Sequence, residues 1–280
     1  MKKRRITPKD VQSFVQFLRE EEKSAATVEK YTHDVRCFAE YIGKNEVDRE
    51  RVLAYKAHLG ESYAPTSANS MIAALNAFLR FLGRQELCVK QFRIQREAYC
   101  SEEKELSRTE YMRLLETARR RKNERLWLVL QTICGTGIRV SELQHITVEA
   151  LQRGEAQVSC KGKKRRVFLV PELRRLLLAY VKNQKRESGA IFVTRSGHPI
   201  SRHLIWREMK ALCAEAGVAP GKVFPHNLRH LFARTFYGIE KDIVRLADVL
   251  GHASINTTRI YTVTTGEEHR RQMENMHLIL

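Results

Sequence analysis

Over the first ninety positions the apolar residues return every three or four places, in four separate stripes, and then the pattern stops. That spacing commits the segment to amphipathic helices. Val11, Phe14, Val15 and Leu18 make the first stripe, opened by Thr7 as N-cap and Pro8 at the first helical position. Val28, Tyr31, Val35, Phe38 and Ile42 make the second, with Gly43 as its stop. Asp48 caps a third carrying Val52, Tyr55 and Leu59 before Gly60, and the fourth runs from near Thr66 through Ile72, Leu75, Leu79 and Leu82 to Gly83. Four helices with one apolar face each predict a small bundle. Between 84 and 105 the periodicity lapses and charges mix with Cys88, Phe92 and Tyr99, as in a linker. The reading is a helical domain over 1–88, a linker over 89–105 and a second domain over 106–280.

Order resumes at Ser107, where Ser107 and Glu110 have the spacing of a capping box. The second domain reads as mainly helical with a small β insert. Residues 157–160 and 166–170 predict two short strands around Lys161, Gly162, Lys163, Lys164 and Arg165, a hairpin with a basic tip. Residues 191–194 suggest a third strand. Pro171, Ser201 and Pro225 each open a further helix, and Gly217 and Gly251 close two of them.

Charge narrows the function. Fifty Lys and Arg against 32 Asp and Glu leave +18, an excess that repels itself and calls for a polyanionic partner. Both parts are basic: residues 1–100 hold 18 cations and 13 anions (+5), and 101–280 hold 32 and 19 (+13). Nucleic acid fits better than an anionic membrane surface, because no run approaches the roughly 18 apolar residues a spanning helix needs. Residues 1–5 are basic, but Thr7, Pro8, Lys9 and Asp10 follow where a signal peptide would be apolar, so a solvated tail able to touch phosphate is expected. Six cysteines without a C-x-x-C pair predict free thiols in a reducing cytoplasm and no structural zinc.

Several features of the second half carry chemistry. Arg139 and Glu142, three apart after Gly135-Thr136-Gly137, share one face of a helix, and each alone reads as half of a surface ion pair. Lys161 alone reads as a solvated turn residue. His226, Arg229 and His230 share a face after Pro225. The spacing of the two histidines matches the zinc pattern H-E-x-x-H, but Asn227 stands where the general base belongs. Leu250-Gly251-His252 ends a helix, Ser254 caps the next, and Tyr261 follows nine residues after His252.

Taken in order, Arg139, Lys161, His226 with Arg229, Leu250-Gly251-His252 and Tyr261 closely resemble the tyrosine recombinase and integrase family, in its compact Xer-like branch. The pattern from Ser24 to Tyr31 is similar to that of the family's DNA-gripping helical domain. The resemblance implies a mainly α protein with a small β-sheet in the catalytic domain: a two-domain, C-shaped DNA clamp whose N-terminal bundle is SAM-like. It implies site-specific recombination through a covalent 3′-phosphotyrosyl intermediate, with Tyr261 as nucleophile. Arg139 and Arg229 would hold the phosphate oxygens, His226 would act as base, Lys161 as general acid and His252 as a further donor. Glu142 and His230 would support them, and Lys163, Lys164 and Arg165 would contact the DNA backbone. No cofactor, metal or ATP is implied. Partners would be double-stranded DNA with paired inverted repeats and further copies of the chain, as a tetramer on two duplexes. The residues after Tyr261 bear on that assembly: Met273, Met276 and Leu280 form an apolar stripe, and segment 266–280 would dock on a neighbouring protomer. Leu231 and Ala253 depart from the family pattern without removing a catalytic group. The competing reading is a DNA-binding accessory or regulatory protein that keeps the fold without turnover.

Overall fold

The computed structural model describes residues 5–94, 104–160, 163–252, 254–261, 270 and 274–276, apart from the side chains of Cys160 and Lys163. The chain divides into two compact units, 1–96 and 97–280.

The first unit is built from α1 (Pro8–Glu20), α2 (Ala25–Ile42), α3 (Arg49–Ser62) and α4 (Pro65–Phe81). Each start follows local chemistry. Thr7 Oγ1 accepts the Asp10 N–H and Asp10 returns the favour to the Thr7 N–H, while Ser24 and Asp48 cap the next two helices. The stripes meet in the core, where Phe14 and Phe78 pack edge to face at 5.2 Å. Gly60, expected as a stop, lies inside α3. A Cβ there would come within 2.9 Å of Phe92 Cζ, so close approach, and not termination, needs the glycine. Residues 85–94 are also not slack. Asn76 brackets Val89 by accepting its N–H at 2.9 Å and donating to its carbonyl at 2.8 Å, and Asn69 does the same for Phe92 at 2.7 and 2.9 Å. Polar side chains on α4 hold this segment, so apolar periodicity does not reveal it.

The second unit contains α5 (Arg108–Arg120), α6 (Glu124–Thr136), α7 (Val148–Arg153), β1 (Glu155–Cys160), β2 (Lys163–Phe168), α8 (Pro171–Asn183), α9 (Arg202–Ala216), α10 (Pro225–Glu240), α11 (Ile243–Leu250) and α12 (Ile255–Thr258). Ser107 and Glu110 form the expected capping box. Three expectations change. β2 starts at Lys163, so Lys163, Lys164 and Arg165 are strand residues, with Arg165 opposite Val158. Residues 191–194 form no strand; only isolated bridges, Thr147 to Ala190 and Val193 to Pro199, occur there, and Pro199 has no N–H to extend a ladder. Glu142 lies in a 3-10 turn, Val140–His145, with its N–H donating to the Arg139 carbonyl at 2.8 Å. Among the described residues no helix is long and apolar enough to cross a membrane.

Helices α6 and α10 pack together through the large core of this unit, and both deliver site residues. Gly137 ends α6 in the left-handed region (φ 66°), and a Cβ there would collide with the Phe232 ring of α10. Gly137→Ala combines a left-handed alanine with overpacking and should destabilise the unit by about 3 kcal/mol. Trp127 and Trp206 both belong to this unit, so their fluorescence in a urea melt of the full chain reads the loss.

Candidate active site

Arg229 is the anchor. It projects from α10, is 1% exposed, and donates from Nη1 to the Gly137 carbonyl and from Nη2 to the Leu250 carbonyl at 2.8 Å. Those carbonyls lie at the C-terminal ends of α6 and α11, where backbone oxygens lack helical partners. One guanidinium therefore ties three helices. Burial, then the nearby Arg139, lowers its pKa to about 10, against a rise from the neighbouring Tyr261. It stays charged at neutral pH.

His252 follows Gly251 at the end of α11. Its Nε2 lies 3.0 Å from Arg229 Nη2 and its Nδ1 lies 2.8 Å from Thr258 Oγ1. A guanidinium can only donate, so Nε2 accepts and the ring proton sits on Nδ1, donated to Thr258. Tyr261 is 3% exposed. Its ring stacks on His252 at 5.9 Å and meets the His230 ring edge to face at 4.8 Å, and His226 lies 4.6 Å from His230 on the same face of α10. His230 Nδ1 lies 3.3 Å from Glu105, which also pairs with Arg234. Arg229 Nε and His230 Nε2 are buried with no hydrogen-bond partner among the described residues.

Glu142 carries the compensating charge and is 1% exposed. Its Oε2 accepts the Arg139 N–H at 2.7 Å and Arg165 Nη2 at 2.9 Å; its Oε1 accepts Arg139 Nη1 at 3.1 Å and Arg165 Nη1 at 2.8 Å. Burial raises the carboxyl pKa, but the Arg165 hydrogen bonds, the Arg139 N–H and both positive charges outweigh it and hold the group below its ordinary value.

The structure thus brings together Arg139, Glu142, His226, Arg229, His230, His252 and Tyr261. Lys161 lies outside the described residues, as does the side chain of Lys163. Lys164 is exposed. Arg165, expected to face the DNA backbone, points inward onto Glu142, because β2 alternates: Arg165 and Val167 turn in while Arg166 and Phe168 turn out. Among the described residues no group of three or more His, Cys, Asp or Glu could hold a metal.

Comparison with known proteins identifies the family. Residues 104–268 match the phage integrase family, and residues 11–86 match the phage integrase N-terminal SAM-like domain. The tyrosine recombinase XerA of Thermococcus kodakarensis is 34% identical, over 96% of this chain and 95% of that one. This chain belongs to the phage integrase family. It is a tyrosine recombinase of the Xer branch, an enzyme of site-specific recombination. The crystal structure of a XerA recombinase aligns with a TM-score of 0.55 at 26% identity, covering 98% of this chain and 100% of that one. A lambda integrase tetramer bound to a Holliday junction shares the fold, with a TM-score of 0.73 at 16% identity over 90% of this chain and 76% of that one.

Sequence reading of the recombinase missed Glu105 and Thr258. Glu105 stood in the expected linker, and nothing in local spacing connects it to His230, 125 positions away. Thr258 sits on the one-turn helix before Tyr261 without a periodic signal.

Two histidines are held neutral. Partial burial, then His230, Arg229 and Arg139, lowers the His226 pKa to about 4; burial, then Arg229 and Arg139, lowers that of His252 to about 4. Both lie below the ordinary 6.5, so the unfolded chain binds protons that the folded recombinase refuses. Their contribution to stability is complete above about pH 6.5 and is lost as pH falls toward 4. Urea midpoints measured from pH 7.5 down to about 4 should fall across that window, and less steeply in His252→Asn.

Proposed function

We propose that this recombinase cleaves and rejoins duplex DNA at paired inverted-repeat sites through Tyr261, acting as a tetramer on two duplexes. What chiefly supports the reading is that the Tyr261 ring stacks on His252, whose Nε2 lies 3.0 Å from the buried Arg229, and meets His230 of the same chain edge to face. The nucleophile and its phosphate-binding arginine belong to one protomer.

The chemistry follows from charge. A phosphodiester repels nucleophiles, and attack builds further negative charge on its non-bridging oxygens. Arg139 and Arg229 hold those oxygens with paired donors, fixed in place before the substrate arrives. A free tyrosine hydroxyl, with a pKa near about 10, needs help to ionise at neutral pH. Neutral His226 accepts its proton as the Tyr261 oxygen bonds to phosphorus. The bond from phosphorus to the 5′-oxygen breaks, Lys161 gives that oxygen a proton, and a 3′-phosphotyrosyl link and a 5′-hydroxyl result. Religation to a different strand reverses these steps, so bond energy is conserved without ATP or metal. His252 turns from acceptor to donor once a phosphate anion offsets the arginine field that, after burial, helps to keep it neutral. Lys164 and Lys163 touch the DNA backbone. The working compartment is the cytoplasm, at the chromosome.

A nicked suicide substrate carrying the cognate site, run on a denaturing gel, should give a covalent protein–DNA band that Tyr261→Phe abolishes while DNA binding persists. Binding without an adduct on any substrate would favour an accessory role instead. Segment 266–280, of which residues 270 and 274–276 are described, docks on a neighbouring protomer in this reading. Its deletion should leave binding to a single site within about twofold and lower tetramer recombination by roughly 10-fold or more. Unaltered recombination by the truncated chain would remove the segment from the assembly.

A further inference from the structure

Arg165 joins three parts of the site. Its strand, β2, begins two residues after Lys161, and β1 ends one residue before it. Its Nη1 and Nη2 form the fork on Glu142 at 2.8 and 2.9 Å, beside Arg139. Its Nε donates to the Val249 carbonyl at 3.1 Å, three residues before His252. The side chain is 13% exposed, which a backbone-contacting cation on a solvated hairpin would not be.

The close passage of this side chain also explains Gly251. A Cβ at that position would fall 2.7 Å from Arg165 Cδ and 3.1 Å from its Nη1, in a backbone already at φ 66°. The turn before His252 is thus built around the Arg165 stem. All the acceptor directions used on Glu142 are shared between Arg139 and Arg165, so neither arginine can shift without unpairing a buried carboxylate.

We propose that Arg165 is the positioning residue that fixes β2, which begins two residues after Lys161, against the Arg139–Glu142 pair and the Gly251–His252 turn, and so sets where the general acid delivers its proton. The inference rests on the assignment of Lys161 above. Arg165 does not touch the phosphate. It acts through the lysine, by holding the two strands that flank it in one register with the arginines. Lysine cannot replace it fully, since an ammonium cannot span both Glu142 oxygens and the Val249 carbonyl together.

The test uses leaving-group chemistry. In a suicide substrate whose scissile 5′-oxygen is replaced by sulfur, the thiolate leaves without a proton, so a general acid is not needed. Cleavage of the ordinary substrate by Arg165→Ala should fall roughly 100-fold, and most of that loss should vanish on the sulfur substrate, as in Lys161→Ala. Arg165→Lys, which keeps the buried carboxylate paired with a cation and so preserves the fold, should show a smaller loss with the same relief. Arg139→Ala, which removes a phosphate donor, should lose rate on both substrates.

If Lys161→Ala is relieved by sulfur while Arg165→Ala and Arg165→Lys lose the same factor on both substrates, the positioning role is overturned and the lysine assignment stands. If Lys161→Ala is not relieved, the lysine assignment fails and this proposal fails with it. Thermal melts and DNA-binding titrations of the variants separate either outcome from unfolding or lost affinity.

Discussion

A guanidinium taken out of water must find acceptors in the protein, and the catalytic unit is arranged around that demand at Arg229. The ends of α6 and α11 supply carbonyls whose helical partners are missing, so one buried cation satisfies two helix ends at once. The left-handed glycines that end those helices, Gly137 and Gly251, turn the chain sharply enough to present the oxygens inward. Remove the cation, and two helix ends and a histidine lose their common partner. The histidine, His252, is the ring on which Tyr261 stacks.

Glu142 performs the complementary task. Three guanidiniums near one another would repel if nothing lay between them, and a single buried carboxylate shared by Arg139 and Arg165 lowers that cost. The balance is left positive on purpose of chemistry: one carboxylate against Arg139, Arg165 and Arg229 leaves room for an incoming phosphodiester. Buried ion pairs contribute little net stability when partners could be replaced by apolar groups. Here they fix direction, since a planar fork on a carboxylate allows few orientations.

Much of the fold was legible because it rests on local rules. Thr7, Asp48, Ser107 and Ser201 each cap a helix where spacing and side-chain oxygen chemistry predict one. The site residues were legible in order along the chain, through their resemblance to a family, and Arg139, Glu142, Arg229, His252 and Tyr261 do converge. What stayed hidden depends on distance. Glu105 reaches His230 across 125 positions, and Asn69 and Asn76 bind backbone that carries no apolar pattern. Arg165 is the instructive case. Its basic neighbours suggested a solvated tip, yet the alternation of Arg165, Val167 and Leu169 with Arg166 and Phe168 marks its inward face, and that signal was present in the sequence.

The titration states connect these structural facts to the proposed chemistry. Without substrate, burial first and then the neighbouring cationic groups keep His226 and His252 neutral, with one ring nitrogen of His252 committed to accepting from Arg229. A neutral His226 can take a proton from tyrosine; a neutral His252 in this tautomer cannot donate from Nε2. A phosphate anion seated against Arg139 and Arg229 weakens the field that depressed both pKa values, and it also competes for the Arg229 donor that occupies His252 Nε2. The same event therefore frees that nitrogen and makes its protonation easier. In the proposed mechanism, donor capacity toward the phosphate would therefore draw on the phosphate's own charge.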